Sequence, residues 1–440
     1  MMEKEKKEYR ELAWQYGGYT LAYLFSMFCS RMGWYPASGI VLIVTAVLIY
    51  LWLFRKSGNL VELRGLFTLS WVGGQGLACF QLSRLQTDWN TITWLCFFLA
   101  YLGFGIGYEW KSHTGREKVC EKEKNSVFAG RLLICIGLLA AVSVICFIIE
   151  WMVVGFIPVF SDLPHAYSYF HVSGVHYFTI SCILIPAISV LYLNVCERLK
   201  TWTILILLIC NGIAVAIPIL CVSRFQLLFA VGFAVVTYII VYRKIKFRTI
   251  MILLCIMVPV YVLLTVARNH DVEYLNGIFE MKNSGTPIFV TQPYIYVANN
   301  FENFNCMVEQ LVSHSWGIRM LFPVFALTGL KFVFPQLTAY PLYITKPELT
   351  TLTVFYDAYY DFGIVGILIF SLVLGMVAKY IWNATDKTDN PVVYLFYGQT
   401  AIYLGLSFFT TWFSNPTTWF WYALTAMMYF FVGFQRKSGR

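Results

Sequence analysis

The chain has 440 residues, of which 59% are hydrophobic and 12% charged, and it carries a net charge of +9, where an average soluble domain is about 25% charged. So much apolar surface excludes a water-soluble domain, and its long unbroken runs exclude the weak alternation of barrel strands. The expected class is an all-α polytopic membrane protein, one integral membrane domain over 1–440.

Met1 to Arg10 are charged and lack the apolar core and cleavage site of a secretory signal, so the N-terminus is expected to stay in the cytoplasm. Runs of about 17–25 apolar residues predict twelve spans, at about 12–30, 36–54, 65–82, 89–108, 127–149, 174–193, 201–221, 225–242, 249–267, 361–382, 392–412 and 417–434. The first is diluted by Gln15, Gly17, Gly18 and several tyrosines. Most of the twelve cysteines fall inside apolar runs with no CxxC pair, and read as small hydrophobes, neither a disulfide framework nor a metal site.

Lys and Arg near span ends are enriched on the cytoplasmic side. Alternation from a cytoplasmic N-terminus puts 24 of the 32 basic residues inside, in clusters such as Arg55-Lys56-Arg64, Arg243 to Arg248 and Arg436-Lys437-Arg440. The basicity therefore reports topology, with both termini cytoplasmic, and gives no hint of nucleic-acid binding. No GxxxxGK[ST] phosphate loop and no internal repeat occurs.

Two external loops are expected, at 150–173 and, between spans nine and ten, at 268–350. Long loops of this kind tend to be functional. Within the second, Met320 to Phe334, interrupted by Pro323 and Gly329, is short for a span and suits an interfacial helix.

Ionisable side chains persisting at a membrane boundary are candidates for function. Arg224 lies in a tight turn, Arg268 closes an apolar run, and Arg319 precedes the interfacial segment. Guanidinium groups bind phosphate in a fixed fork, so the trio is a candidate clamp for a lipid diphosphate; the bland reading is that each snorkels to headgroups or pairs with a carboxylate. Five of the six histidines, His165, His171, His176, His270 and His314, fall on the external side. An imidazole there is a candidate general base, and His314, close to Arg319 in sequence, is preferred. His171 and His176 are five apart, unlike the i,i+4 pair of a helical zinc motif. Asp357 and Asp361, if helical, stand one turn apart on one face, and could orient sugar hydroxyls, accept a proton, or merely favour a helix N-terminus.

Four segments carry a resemblance: Gly155-Phe156-Ile157-Pro158-Val159-Phe160, Ser223-Arg224, Asn299-Asn300-Phe301-Glu302-Asn303-Phe304, and Tyr360-Asp361-Phe362-Gly363 with Gly366. Together they resemble the oligosaccharide repeat-unit polymerases, the Wzy-type O-antigen polymerase family. The resemblance implies a GT-C-like glycosyltransferase of the bacterial cytoplasmic membrane, working on its outer face, that joins undecaprenyl-diphosphate-linked oligosaccharides with loss of undecaprenyl diphosphate. It implies no cofactor and no metal, a setting of membrane lipids, and a chain-length-regulating protein as partner. Arg224, Arg268 and Arg319 would stabilise the departing diphosphate, and the base would be His314, Glu302 or Asp361. An O-antigen ligase shares this chemistry; a lipid-linked oligosaccharide flippase would be expected to show internal repeats and mid-membrane ionisable residues.

Overall fold

In a computed structural model, residues 2–110, 124–161, 166–243, 272–283, 285–338 and 340–434 are described, with side chains from residue 10 onward except those of 272 and 273. The expected ninth span and Arg268 lie outside the described residues. Among those described the fold is helical, without strands. The helices are α1 (Met2–Arg31), α2 (Tyr35–Ser57), α3 (Leu63–Ala78), α4 (Thr91–Glu109), α5 (Ser126–Val154), α6 (Ala166–Tyr169), α7 (Val175–Thr179), α8 (Ile185–Val195), α9 (Thr201–Leu220) and α10 (Arg224–Tyr242). They continue with α11 (Val272–Phe279), α12 (Ile288–Gln310), α13 (Phe322–Leu327), α14 (Leu330–Val333), α15 (Tyr356–Lys387), α16 (Val393–Gly405) and α17 (Pro416–Gly433).

The eleven expected spans that fall on described residues coincide with helix. Among the described residues seven helices are long and apolar enough to cross a membrane: α2, α4, α5, Val175–Val195, α9, α10 and α15. Their outward faces are apolar. Ile134, Leu138, Ile145 and Ile149 on α5, and Ile204, Leu208 and Val215 on α9, are all exposed. In water, burying such stripes would gain about 25 cal/mol per Å², so leaving them bare fits hydrocarbon surroundings. These observations make the chain an all-α, multi-pass membrane protein. Two expected spans end early: α3 stops at Ala78, before Gln81 turns the backbone to φ 48, and α16 stops at Gly405.

The chain divides into two compact units. The first comprises Met1–Thr114, Asp271–Tyr380 and Tyr403–Pro416; the second, Gly115–His270, Ile381–Ile402 and Thr417–Arg440. In the first unit α2 packs on α3 and α3 on α12. Trp71, Phe67, Phe97, Phe301 and Phe355 stack into its aromatic centre. Helices α4 and α15 approach so closely that a Cβ at Gly107 would stand 2.1 Å from the Leu372 carbonyl oxygen, which only a small residue permits. Arg64, counted in the sequence as a topological charge, is fully buried here; it pairs with Glu109 at 2.8 Å and donates to Gln15 at 2.9 Å.

In the second unit α5 packs on α7, α8 and α9, and α10 on α8. Asn125 starts α5 by accepting from the backbone N–H groups of Val127 and Phe128, and Gly155, in the left-handed region at φ 85, ends it.

The segment 268–350 holds more structure than a loop. Its α12 runs for 23 residues with Pro293 inside. Hydropathy overlooks this helix because its buried face is polar, with Asn299, Asn300, Glu302, Asn303 and Asn305 all at 1% exposure or less. The expected interfacial piece forms as two short helices: Pro323 opens α13, and Gly329 at φ 78 separates it from α14. Leu321, Val324, Phe332 and Val333 of this piece are exposed.

Candidate functional site

The candidate site is built in the first unit, where residues 314–320 lie against the start of α15. Backbone bonds join the two segments: Ser315 N–H donates to the Tyr360 carbonyl at 3.3 Å and Trp316 N–H to that of Asp361 at 3.2 Å. Trp316 and Gly317 turn at positive φ, 55 and 98. Asp361 braces this turn. Its Oδ1 accepts from the Ser315 hydroxyl and from Arg319 N–H at 3.2 Å, and its Oδ2 from Met320 N–H at 2.8 Å. Fully buried, Asp361 therefore acts as the strut that holds the loop.

Asp357, one turn earlier, accepts from Arg319 Nε at 2.6 Å. Expected to share a face with Asp361, it does so, and both carboxylates meet the same loop. The guanidinium lies over the Tyr360 ring at 4.6 Å and the Tyr356 ring at 5.8 Å, a cation–π arrangement. Burial opposes the charge on Arg319, but the Asp357 carboxylate outweighs it and holds its pKa above the ordinary value. With Nε engaged, the two terminal guanidinium nitrogens have no hydrogen bond to the described residues. The side chain is 14% exposed. Tyr356 is itself locked, accepting from Tyr343 N–H at 2.9 Å and donating to the Tyr343 carbonyl at 3.1 Å.

His314 faces the Tyr360 carbonyl through Nδ1 at 3.2 Å. A carbonyl oxygen only accepts, so Nδ1 carries the proton and Nε2 of the neutral ring keeps its lone pair. Among the described residues no group bonds Nε2. It stands over Gly363, where a Cβ would approach to 3.1 Å. That glycine kinks α15 at φ 60, ψ −143, a conformation essentially reserved for glycine.

Glu302, the third candidate base, sits elsewhere in the unit. It is 1% exposed, and its oxygens accept from the Thr87 hydroxyl at 2.6 Å and Trp89 Nε1 at 3.2 Å. Burial pushes its carboxyl up to about 7, against these bonds, which favour the charge. The neighbouring asparagines are equally occupied. Asn303 donates to the carbonyls of Leu349 and Thr351 at 2.8 and 2.9 Å and accepts from Thr345 N–H at 2.9 Å. Asn300 donates to the Phe408 carbonyl and accepts from the Thr351 hydroxyl. The asparagine-rich motif is thus a knot that ties surrounding segments to α12.

Arg224 opens α10 in the second unit, 7% exposed, behind a Ser223 hydroxyl that accepts from Gln226 N–H at 3.5 Å. Of the expected arginine trio, Arg319 belongs to the first unit and Arg224 to the second; Arg268 lies outside the described residues. The Tyr360 platform and the Gly363 kink beneath His314 were not singled out in the sequence as parts of one site. Their signal was the proximity of the His314-to-Arg319 and Tyr356-to-Gly363 motifs, which only the fold joins. Comparisons with protein-family models, with curated proteins and with solved structures return no match.

Proposed function

We propose that the chain is a glycan polymerase of the bacterial cytoplasmic membrane, a GT-C-like protein of about twelve spans that joins undecaprenyl-diphosphate-linked repeat units on the outer face. The observation that carries this reading is Arg319. Its Nε is anchored to Asp357 and its plane is held by Tyr360, while both terminal nitrogens have no hydrogen-bond partner among the described residues. Two parallel N–H donors on a fixed plane match a phosphate group, and preorganised donors stabilise charge developing on a leaving diphosphate. The apolar spans supply the setting for a lipid-linked substrate, and the four-motif resemblance supplies the substrate class.

In this mechanism an acceptor sugar hydroxyl attacks the donor's anomeric carbon. The new glycosidic C–O bond forms as the C–O bond to the diphosphate breaks, and the electron pair leaves on undecaprenyl diphosphate beside Arg319. The hydroxyl proton passes to His314 Nε2. Glu302 and Asp361 have both oxygens engaged by the protein, which favours His314 among the three candidate bases. Incubating the purified protein with a lipid-diphosphate-linked repeat unit, without nucleotide sugar, tests the proposal. A ladder of multiples of one repeat is expected; its absence with folded protein and native substrate would overturn it.

A further inference from the structure

The second unit holds another oriented histidine. Glu150, in the last turn of α5, is fully buried. It accepts from Val172 N–H at 3.0 Å and from His176 Nδ1 at 2.9 and 3.2 Å. The carboxylate therefore fixes the imidazole with Nδ1–H inward and Nε2 turned away. Among the described residues no group bonds Nε2, and the His176 side chain is 19% exposed. The exposed ring of His171 meets that of His176 edge-on, with centroids 4.9 Å apart.

The chain is shaped to hold this pair. Gly174 turns at φ 86 into α7, and His176 N–H donates to the Val172 carbonyl at 3.0 Å. Phe170, buried against Phe147 and Phe156, pins the segment. Tyr169, whose carbonyl accepts from His171 N–H at 2.9 Å, leaves its ring 68% exposed.

A carboxylate buried at the end of an apolar helix is expensive and marks a functional position. A packing bond would need only Nδ1, whereas carboxylate-oriented imidazoles elsewhere serve through the opposite nitrogen. Among the described residues no group of three His, Cys, Asp or Glu side chains is placed to hold a metal ion.

We propose that His176 Nε2 accepts a hydrogen bond from a saccharide hydroxyl, with the exposed Tyr169 ring as an apolar face for the sugar, making this a glycan-binding site of the second unit. The ligand class rests on the polymerase reading; the geometry does not. His176 is a binding residue here, distinct from the proton transfer assigned to His314.

The test uses the full chain in detergent and, as probe, the repeat-unit oligosaccharide freed of its lipid diphosphate, followed by calorimetry. Wild-type protein should bind it saturably. In His176→Asn the amide nitrogen takes the place of Nδ1 and keeps the bond to Glu150, but nothing replaces Nε2. Binding should weaken about tenfold, as for loss of one good hydrogen bond, with an unchanged melting midpoint. Glu150→Gln, which still accepts from Nδ1, should bind within about twofold of wild type. Unchanged affinity in His176→Asn, or no saturable binding by wild type, would overturn the inference. Saccharide binding by a protein that forms no ladder would uphold it while removing the polymerase reading; a ladder-forming protein whose His176→Asn variant binds normally would do the reverse.

Discussion

Two polar regions of the first unit, the asparagine face of α12 and the cluster of residues 314–320 with the start of α15, look alike in sequence and differ in what they leave unsatisfied. On α12 the side chains of Asn300, Glu302 and Asn303 meet donors and acceptors of the protein on every side. In the other region Asp357 and Asp361 are consumed in holding the loop, while among the described residues His314 Nε2 and the terminal nitrogens of Arg319 are left without a partner. Buried polar groups that are fully bonded specify structure; groups held in place but incompletely bonded are where a ligand can be met.

The sharpest way to break this comparison is at Arg319. Arg319→Lys keeps a charge opposite Asp357 but loses the planar fork, and Arg319→Ala loses both. Removal of a preorganised donor to developing charge predicts a fall in polymer formation of about 100-fold or more, measured as the initial rate of ladder growth. Wild-type rates in both variants would return Arg319 to a packing role.

On the saturated side, Glu302 should speak through stability and its pH dependence. Its carboxyl rises from 4.5 to about 7 on folding, so the folded state binds the proton more tightly. The associated stability is fully present below pH 4.5 and is lost as pH rises through about 7. At 1.36 kcal/mol per unit, the change is about 3 kcal/mol. Thermal midpoints measured across that window should slope downward for wild type and flatten for Glu302→Gln; parallel slopes would refute the assignment.

Asn303→Ala should cost about 2 kcal/mol through the buried groups it strands. Its activity per folded molecule should be retained, the opposite of the Arg319 result, as comparison of melting midpoint with specific rate will tell. The smallest effect is expected at Gly363→Ala. The positive φ and the contact with His314 predict about 1–2 kcal/mol of strain with a modest loss of rate. A variant as stable and active as wild type would mean that the kink plays no part in holding His314.

Much of the helix inventory was legible because long apolar runs have few alternatives to helix in a membrane. Helix α12 was not. Its polar residues read as loop until the fold supplies Thr87, Trp89, Thr345 and Thr351 as partners. His176 was visible as one of several external histidines, but Glu150, following Phe147-Ile148-Ile149 at the junction of the predicted span 127–149 and the loop 150–173, was not singled out. A lone carboxylate closing an apolar run was the signal that would have found it.

The sequence by itself determined the helical membrane class, because hydropathy is a local property that lipid reads directly. It also put Asp357 and Asp361 one turn apart, because helical periodicity is local too. Only the tertiary structure decided that Asp361 is a strut, that Arg319 is anchored by one edge with the other unsatisfied, and that Glu150 orients His176. Each of those roles depends on a partner distant in the chain, and hydrogen bonding at such range is invisible until folding brings donor and acceptor together.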